Sequence, residues 1–297
     1  MKSGANSRRF LFVASESNIV SVSVIVGVKD RHDLLPRLIA SLLKQTLSDW
    51  ELIIVDQGVP LLAASIPVDP RIRVIRSEPG LSHARNLGLQ KSHGEFISLL
   101  DDDCWLDEHA LKNAVIYFRA NPEVAALVGR VFDESGHIFK EITKCLPGEL
   151  RKWDLLVSTL SVGILLRSTT LKKLGLRFDE SLGLGSKTEL QSGEDADILL
   201  SLQKKGGSIF QLDEYKVYHP SLGDSPPGRL ANEGLCLGYL MRRYRFFPGL
   251  LVWWSLLSLG FSLVLLLQGK LLQAKSRALF TFYRLRGFSM PPVKRAE

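Results

Sequence analysis

Cysteine is scarce in this chain, and its distribution excludes two kinds of scaffold. Three cysteines occur among 297 residues, at positions 104, 145 and 236, and no two of them have CxxC spacing. An odd number of widely spaced cysteines indicates neither a disulfide framework nor a structural zinc site. We therefore expect reduced thiols, as in a cytoplasmic protein.

An excess of basic charge is absent from the first 230 residues, although the whole chain carries a net charge of +7. Residues 231–297 hold ten Lys or Arg against two Glu, so the preceding part is close to neutral. This distribution argues against a basic nucleic-acid-binding fold, and we expect no nucleic-acid partner. It favours a C-terminal region that meets an anionic membrane surface.

The N-terminus also lacks a long apolar run. The apolar stretch at residues 10–14 is shorter than a secretory h-region, which usually has about 7–15 residues. We expect residues 1–19 to form an irregular leader without a cleaved signal, so that the catalytic part stays in the cytoplasm.

The most informative stretch is an apolar run that ends in three adjacent carboxylates. Phe96–Leu100 follows Gly94 and is typical of a buried strand, and Asp101, Asp102 and Asp103 come directly after it. Because unpaired carboxylates are costly to bury, they must lie where the strand emerges, at the sheet edge where α/β proteins bind ligands. Carboxylates in this pattern suit Mg²⁺ or Mn²⁺. The alternative is a solvated acidic turn that caps the next helix.

Strand-like and helix-like segments alternate along residues 20–220. Apolar runs predict strands at 20–26, 52–55, 72–75, 96–100, 124–131, 161–166 and near 216–217. Helical spacing and stop signals predict helices at 34–43, 81–90, 110–120, 171–174 and 198–204, whereas residues 133–160 give no assignment. The alternation predicts an α/β fold with a mainly parallel sheet. Right-handed crossovers would then place Asp56, which follows the second strand, at the same edge as the three aspartates.

A second acidic cluster precedes the helix predicted at 198–204. It contains Glu194, Asp195 and Asp197 directly after Gly193. Acids suit a helix N-terminus, and Ser192 or Asp195 could serve as the N-cap. Capping accounts for one acid better than for three in four positions, so we regard this cluster as a candidate site.

A long apolar run occurs near the C-terminus, where residues 250–267 contain no charged side chain. As a helix this run spans about 27 Å, which is close to the thickness of a bilayer core. Pro248 suits a helix start, and Trp253 and Trp254 suit a membrane interface. Basic residues flank the run on both sides, which conflicts with a single crossing and favours an in-plane or re-entrant arrangement. A buried core helix or a dimer interface is the alternative.

Taken in order, these segments resemble the family 2 glycosyltransferases of the GT-A fold over about residues 20–220. The matching pieces are the strand at 22–26, Gln45, the segment 50–56 ending in Asp56, the stretch 80–88 around Arg85, the run 94–103, Phe178-Asp179-Glu180 and Gly193-Glu194-Asp195. No single piece is specific, but their order and spacing are. The resemblance implies a GT-A catalytic domain at residues 20–230 and a basic, apolar, helical, membrane-associated region at 231–297.

The resemblance also implies a role for each candidate residue. Four would bind the nucleotide-sugar, with the first on the base: Asp56, Arg85, Asp101 and Asp102. Three would hold Mg²⁺ or Mn²⁺: Asp103, Asp101 and His219. Asp195 would act as the catalytic base, with Glu194 as its partner or its rival for that role.

Two departures from the family pattern fall in the base-binding half of the site. Gly27-Val28-Lys29-Asp30 stands where the family usually has Pro-Thr-Tyr-Asn, and Gln57 stands where it usually has a second acid. They leave open whether the donor is linked to UDP or to GDP.

The resemblance implies inverting transfer of a sugar from a nucleotide-sugar to an acceptor hydroxyl. The apolar C-terminal run, with its basic flanks, suits a glycan or lipid-linked acceptor at the cytoplasmic face of the inner membrane. Two alternatives stay open. A sugar-phosphate nucleotidyltransferase would need a glycine-rich basic loop after the first strand, and residues 27–31 are a poor version of one. A non-catalytic membrane-bound scaffold would explain the C-terminal run but not three acidic clusters.

Overall fold

A computed structural model describes residues 20–59, 66–138, 148–157, 161–220 and 227–293, so the predicted leader at 1–19 lies outside the described residues. The strands are β1 (Val22–Val28), β2 (Trp50–Asp56), β3 (Ile72–Arg76), β4 (Phe96–Leu100), β5 (Trp105–Leu106), β6 (Val124–Phe132), β7 (Gly148–Glu149), β8 (Ile164–Arg167) and β9 (Ser208–Tyr218). The helices are α1 (Leu35–Leu43), α2 (Leu81–Lys91), α3 (Ala110–Ala120), α4 (Lys152–Val157), α5 (Ser168–Leu174), α6 (Glu194–Lys204), α7 (Pro227–Arg243), α8 (Pro248–Leu267) and α9 (Leu271–Ser289).

The strands form one mixed sheet in the order β3-β2-β1-β4-β8-β6-β9-β5, and β7 pairs with β9. The first four strands of this order are parallel to one another, as helical crossovers require. β8 is antiparallel to both β4 and β6, whereas β9 is parallel to β6. The predicted α/β class is confirmed, and its parallel pairing lies in the first half of the sheet and between β6 and β9.

Helices cover both faces of the sheet, which explains why its first strands are apolar on both sides. Successive side chains of β1 point to opposite faces. Val22, Val24, Val26 and Val28 pack in a cluster with α1 and α3, whereas Ile25 packs in a second cluster with α2, α6 and α7.

Several elements differ from the sequence-based assignment. β9 begins at Ser208, well before residue 216. Its first part was not predicted from the sequence because polar residues interrupt the apolar pattern of the strand. α6 begins at Glu194, so the acidic cluster forms the first turn of the helix instead of preceding it. Residues 161–163 form a 3₁₀ turn before β8. β5, β7 and α4 were not predicted.

The C-terminal helices join directly onto the α/β domain. Cys236, Tyr239 and Leu240 of α7 are buried in the same cluster as Ile25. The predicted boundary between residues 230 and 231 falls inside α7. α9 packs along α7, and α8 packs along α9. Within the described residues, α8 is the one helix that is long and apolar enough to cross a bilayer.

Candidate active site

Three strand ends bring candidate side chains to one edge of the sheet. Asp56 is the last residue of β2, Asp101 follows β4, and His219 follows β9. These strands point the same way, because β2 and β4 are both parallel to β1, and β4 is related to β9 through the antiparallel β8 and then β6. Their carboxyl ends therefore lie at one edge, the usual ligand-binding edge of an α/β sheet.

Arg85 on α2 joins two acidic clusters that are far apart along the chain. Its Nη1 donates to Glu194 Oε1 at 3.0 Å and to Asp195 Oδ1 at 2.5 Å, and its Nη2 lies 3.5 Å from Asp101 Oδ1. The Arg85 side chain is buried. Burial alone lowers the pKa of an arginine, but the Asp195, Glu194 and Asp101 carboxylates raise the pKa of Arg85 overall. Arg85 is therefore a permanent cation at the centre of this group.

The position of Arg85 depends on a close approach between α2 and β1. A Cβ at Gly88 would come within 2.4 Å of Ile25 Cγ2, so this helix face accepts no side chain. Gly88 lies three residues after Arg85, about one helical turn away. The contact of Gly88 with the strand thus fixes how far α2 stands from the sheet and where the guanidinium emerges.

The first turn of α6 presents the second acidic cluster. Gly193 starts the helix with a φ of 88°, a left-handed conformation that favours glycine. Glu194 and Asp195 follow at the helix N-terminus, where the helix dipole favours carboxylates. The Glu194 side chain is 6% exposed and the Asp195 side chain 21%. Asp195 is therefore the more accessible member of the pair.

The buried acids of this group have perturbed pKa values. Burial, together with the Asp195 carboxylate and against the effect of Arg85, raises the pKa of Glu194 to about 8. Burial also raises the pKa of Asp101, where Arg85 again opposes the shift. The buried Glu194 and the more accessible Asp195 therefore sit in different environments at the same helix start.

Asp103, Cys104 and His219 form a candidate metal centre, since their ligand atoms all lie within 4.8 Å of one another. Nε2 of His219 is 3.4 Å from Asp103 Oδ1. Cys104 is buried, and burial raises the pKa of its thiol. A protonated thiol is a poor ligand, because metals bind the thiolate. The Asp103 carboxylate suits Mg²⁺ or Mn²⁺, whereas an imidazole such as that of His219 is more usual on Zn, Cu, Fe or Ni.

Arg31, in the loop after β1, contacts the acids next to this centre. Its Nη2 lies 2.5 Å from Asp103 Oδ2, and its Nη1 lies 3.3 Å from Asp102 Oδ1. Burial raises the pKa of Asp102 to about 7, while Arg31 opposes that shift. Across the described site, two guanidinium groups face five carboxyl groups. The site therefore has excess acidic groups that a divalent cation can neutralise.

The Asp56 carboxylate is buried and already has partners. Its Oδ1 lies 3.1 Å from His32 Nε2 and accepts a hydrogen bond from the Gly58 amide at 3.0 Å. Its Oδ2 accepts a hydrogen bond from Arg76 Nη1 at 2.7 Å. A nucleobase at this position would share a carboxylate oxygen with these donors.

The structure thus brings all the predicted site residues to one edge, in three adjoining groups: Asp56; Arg85 with Asp101, Glu194 and Asp195; and Asp102 and Asp103 with His219. Sequence reasoning missed the cations that pair with them, Arg31, His32 and Arg76. A signal existed, because these residues follow β1 or end β3 at the same edge.

Comparison with known proteins bears on what this arrangement does. The sequence profile of Glycosyl transferase family 2 matches residues 23–167. An uncharacterized glycosyltransferase of Haemophilus influenzae is 30% identical over 216 residues, covering 66% of this chain and 67% of that protein.

Two further relatives match over a smaller part of their own length. The O-antigen biosynthesis protein RfbC of Myxococcus xanthus is 27% identical over 226 residues, covering 72% of this chain but 17% of RfbC. The uncharacterized glycosyltransferase EpsJ of Bacillus subtilis is 41% identical over 88 residues, covering 28% of this chain and 26% of EpsJ.

Solved structures share the fold. S. aureus TarS 1–349 superposes with a TM-score of 0.54 at 20% identity, covering 91% of this chain and 90% of that one. The complex of TarS 1–349 with UDP-GlcNAc gives a TM-score of 0.54 at 19% identity, covering 73% and 65% of the two chains.

Proposed function

This chain belongs to the family 2 glycosyltransferases, and from that premise we propose that it transfers a sugar from a nucleotide-diphosphate sugar to an acceptor hydroxyl with inversion at the anomeric carbon. The TarS complex holds UDP-GlcNAc, which supports a nucleoside-diphosphate sugar as the donor of this chain; UDP- and GDP-sugars are the two to test. A single displacement by the acceptor oxygen inverts the anomeric centre.

One observation carries the proposal: Arg85 contacts Asp101 at the end of β4 and both Glu194 and Asp195 at the start of α6. Inverting transfer requires a site for the diphosphate and a base for the acceptor hydroxyl, held on opposite sides of one sugar. The shared guanidinium keeps the two acidic clusters within reach of the same reacting group.

Asp195 is the general base in this proposal. Its carboxylate lies in the first turn of α6 and is more exposed than that of Glu194. It would take the proton from the acceptor hydroxyl as that oxygen attacks the anomeric carbon. Glu194, which is buried against Arg85, would help to hold Arg85 and Asp195 in place.

Asp103, with Asp101 and His219, would hold Mg²⁺ or Mn²⁺. A bound ion at this position would neutralise the charge that develops on the nucleoside diphosphate leaving group. The excess of carboxyl groups over guanidinium groups supports this assignment. Arg31 lies against the same acids and is available to the diphosphate.

A panel of UDP- and GDP-sugars, tested with and without Mn²⁺ for release of free nucleoside diphosphate, examines the proposal. We expect Asp195→Asn to lower kcat by about 10²–10⁴ while donor binding, measured by calorimetry, is kept. We expect Asp103→Asn to weaken Mn²⁺-dependent donor binding. Glu108→Gln, at an exposed acid outside the three groups of the site, is the matched control. Full transfer activity in Asp195→Asn would reject the base assignment.

The same experiment separates the alternatives. A sugar-phosphate nucleotidyltransferase releases pyrophosphate from a nucleoside triphosphate instead of nucleoside diphosphate from a sugar donor. A non-catalytic scaffold binds neither UDP nor GDP in the presence of Mn²⁺. Either result would overturn the proposal.

We also propose that α8 and α9 attach the enzyme to the cytoplasmic face of the inner membrane. The polarity of α8 is reversed relative to a helix in water. Its buried positions are Leu251, Ser255, Ser258, Ser262 and Leu265. Its exposed positions include Val252, Trp253, Leu256, Leu257, Leu259, Phe261, Leu263, Val264, Leu266 and Leu267. So large an exposed apolar surface is typical of contact with a membrane or a partner.

The flanking cations favour an arrangement in which α8 and α9, here called the hairpin, lie in the plane of the membrane surface. Arg245, Lys270 and Lys275 are exposed beside the apolar surface, where they can meet anionic headgroups. A membrane seat in turn suits a lipid-linked glycan as acceptor, as in the assembly of surface polysaccharides.

Flotation with phosphatidylglycerol vesicles tests the attachment. Asp at the centre of a membrane-inserted helix costs roughly 2.5–3.5 kcal/mol, so Leu257→Asp should lower vesicle binding more than tenfold. Ile116→Asp is the matched control, because Ile116 on α3 is 58% exposed and Leu257 is 53% exposed. Unchanged flotation of Leu257→Asp would refute the membrane seat. Labelling of Lys270→Cys by an impermeant maleimide in intact spheroplasts would show a full crossing instead of an in-plane seat.

A further inference from the structure

An ion-pair network with two buried aspartates links α7 to the side of α6 that faces away from Arg85. Arg243 Nη1 lies 2.7 Å from Asp179 Oδ2, and its Nε lies 3.5 Å from Asp197 Oδ1. Both aspartates are buried. Burial alone lowers the pKa of Arg243, but the Asp197 and Asp179 carboxylates raise it overall, so Arg243 stays charged.

Tyr244, the residue after Arg243, forms a hydrogen bond with one of these aspartates, Asp197. Its hydroxyl donates to Asp197 Oδ1 at 2.6 Å and lies 2.7 Å from Ser201 Oγ, one turn further along α6. Two consecutive residues at the end of α7 therefore fix the first two turns of α6.

The contacts of α6 lie on two sides of the helix. Asp195 and Asp197 are two residues apart, which places them about 200° apart around the helix axis. Asp195 points to Arg85, whereas Asp197 points to Arg243. Each side of the first turn is thus held by an arginine from a different helix.

The backbone before the acidic turn also rests on α7. A Cβ at Gly193 would lie 3.2 Å from Leu240 Cδ1 and 3.3 Å from Cys236 Cβ. α7 therefore sets both the starting point of α6, through Gly193, and its rotation about its own axis, through Asp197.

We propose that Arg243 is a positioning residue for the transferase reaction: by holding Asp197 and Asp179 it sets the place of Asp195 beside the acceptor hydroxyl. The proposal rests on the function assigned above, in which Asp195 is the base. A purely stabilising role is a weak explanation of the network, since apolar residues of similar volume often replace a buried ion pair without loss of stability. Charge-assisted hydrogen bonds, by contrast, add geometric specificity because they are directional.

The test compares three variants in the full-length chain. Arg243→Lys keeps the charge but loses the planar fork, Tyr244→Phe removes one hydrogen bond to Asp197, and Arg242→Lys is the matched control on the same helix. Arg242 donates to the Phe288 carbonyl and touches neither aspartate in the described structure. Measured quantities are kcat, KM for donor and acceptor, donor Kd by calorimetry, and the melting temperature.

We expect Arg243→Lys to lower kcat at least tenfold and Tyr244→Phe to lower it threefold or more, while donor Kd stays within twofold and Arg242→Lys behaves as wild type. A kcat within twofold of wild type in both Arg243→Lys and Tyr244→Phe would overturn the proposal. So would parallel losses of kcat, donor affinity and melting temperature, because these indicate a structural role alone. Asp195→Asn, assayed alongside, distinguishes failure of the base assignment from failure of the positioning role. Full activity in Asp195→Asn would reject Asp195 as the base, whereas it would not by itself reject the contacts of Arg243.

Discussion

Two helices of this molecule, α1 and α8, bury opposite kinds of side chain. α1 buries Leu35, Leu38, Ile39 and Leu42 against the sheet and exposes Pro36, Arg37 and Ala40 on its other side. α8 buries serines against α9 and exposes leucine, valine, tryptophan and phenylalanine. The first pattern is that of an amphipathic helix in water. The second reverses it.

The difference shows what each region folds against. Burial of apolar surface drives the packing of α1, because water surrounds the α/β domain. Between α8 and α9 the buried contacts include two polar ones: Thr281 Oγ1 donates to Ser258 Oγ at 2.7 Å, and Arg284 Nη2 donates to Ser255 Oγ at 3.2 Å. Small and hydroxyl-bearing residues at helix contacts, with apolar residues outside, are the pattern of helices packed in lipid.

The largest expected effect comes from placing the same charge in both helices. Leu38→Asp puts an unpaired carboxylate at a fully buried position, and we expect it to destabilise the α/β domain by about 4 kcal/mol or more. Leu257→Asp, at an exposed position, should leave the melting temperature in a mild non-ionic detergent within a few degrees of wild type. Thermal unfolding followed by circular dichroism measures both variants. A large loss of stability in Leu257→Asp would mean that α8 is a core helix after all.

A smaller effect is expected where the two regions meet, between α7 and α9. A Cβ at Gly238 would lie 1.9 Å from the Arg284 carbonyl oxygen, so Gly238→Ala must push the helices apart. We expect a loss of about 1–3 kcal/mol, as in other overpacked contacts. Gly260 on α8 has nothing within 4 Å of its Cβ position. Gly260→Ala should therefore stabilise the helix by roughly 0.5–1 kcal/mol. Equal effects of the two substitutions in thermal melts would contradict the close α7–α9 contact.

The sequence predicted the acidic edge well because that edge follows from local signals. Apolar runs that end in Asp56 and Asp101 identify the strands, and parallel strands place their carboxyl ends together. His219 reaches the same edge for this reason, although β9 itself was mostly missed.

The network behind α6 could not be predicted in the same way. Asp179, Asp197 and Arg243 are distant in sequence, and a buried ion pair leaves no periodic pattern. The apolarity of α8 was evident from its composition, but the face that it buries is set by α9. Cations such as Lys275 and Arg277 interrupt the apolar pattern of α9, so its packing face could not be read from sequence.

The smallest effect compares one kind of hydrogen bond in both regions. Ser98 Oγ and Tyr215 Oη lie 2.8 Å apart in the α/β core, and Thr281 Oγ1 donates to Ser258 Oγ between α9 and α8. Double-mutant cycles with Ser98→Ala and Tyr215→Phe, and with Ser258→Ala and Thr281→Val, isolate each coupling. We expect about 1 kcal/mol in the core and about 0.6 kcal/mol in the hairpin, because hydroxyl groups of helices separated in a membrane find other partners. The opposite result would be a Ser258–Thr281 coupling several times larger than the Ser98–Tyr215 coupling. It would show that water and lipid headgroups do not reach the Ser258–Thr281 contact, and that protein surrounds α8.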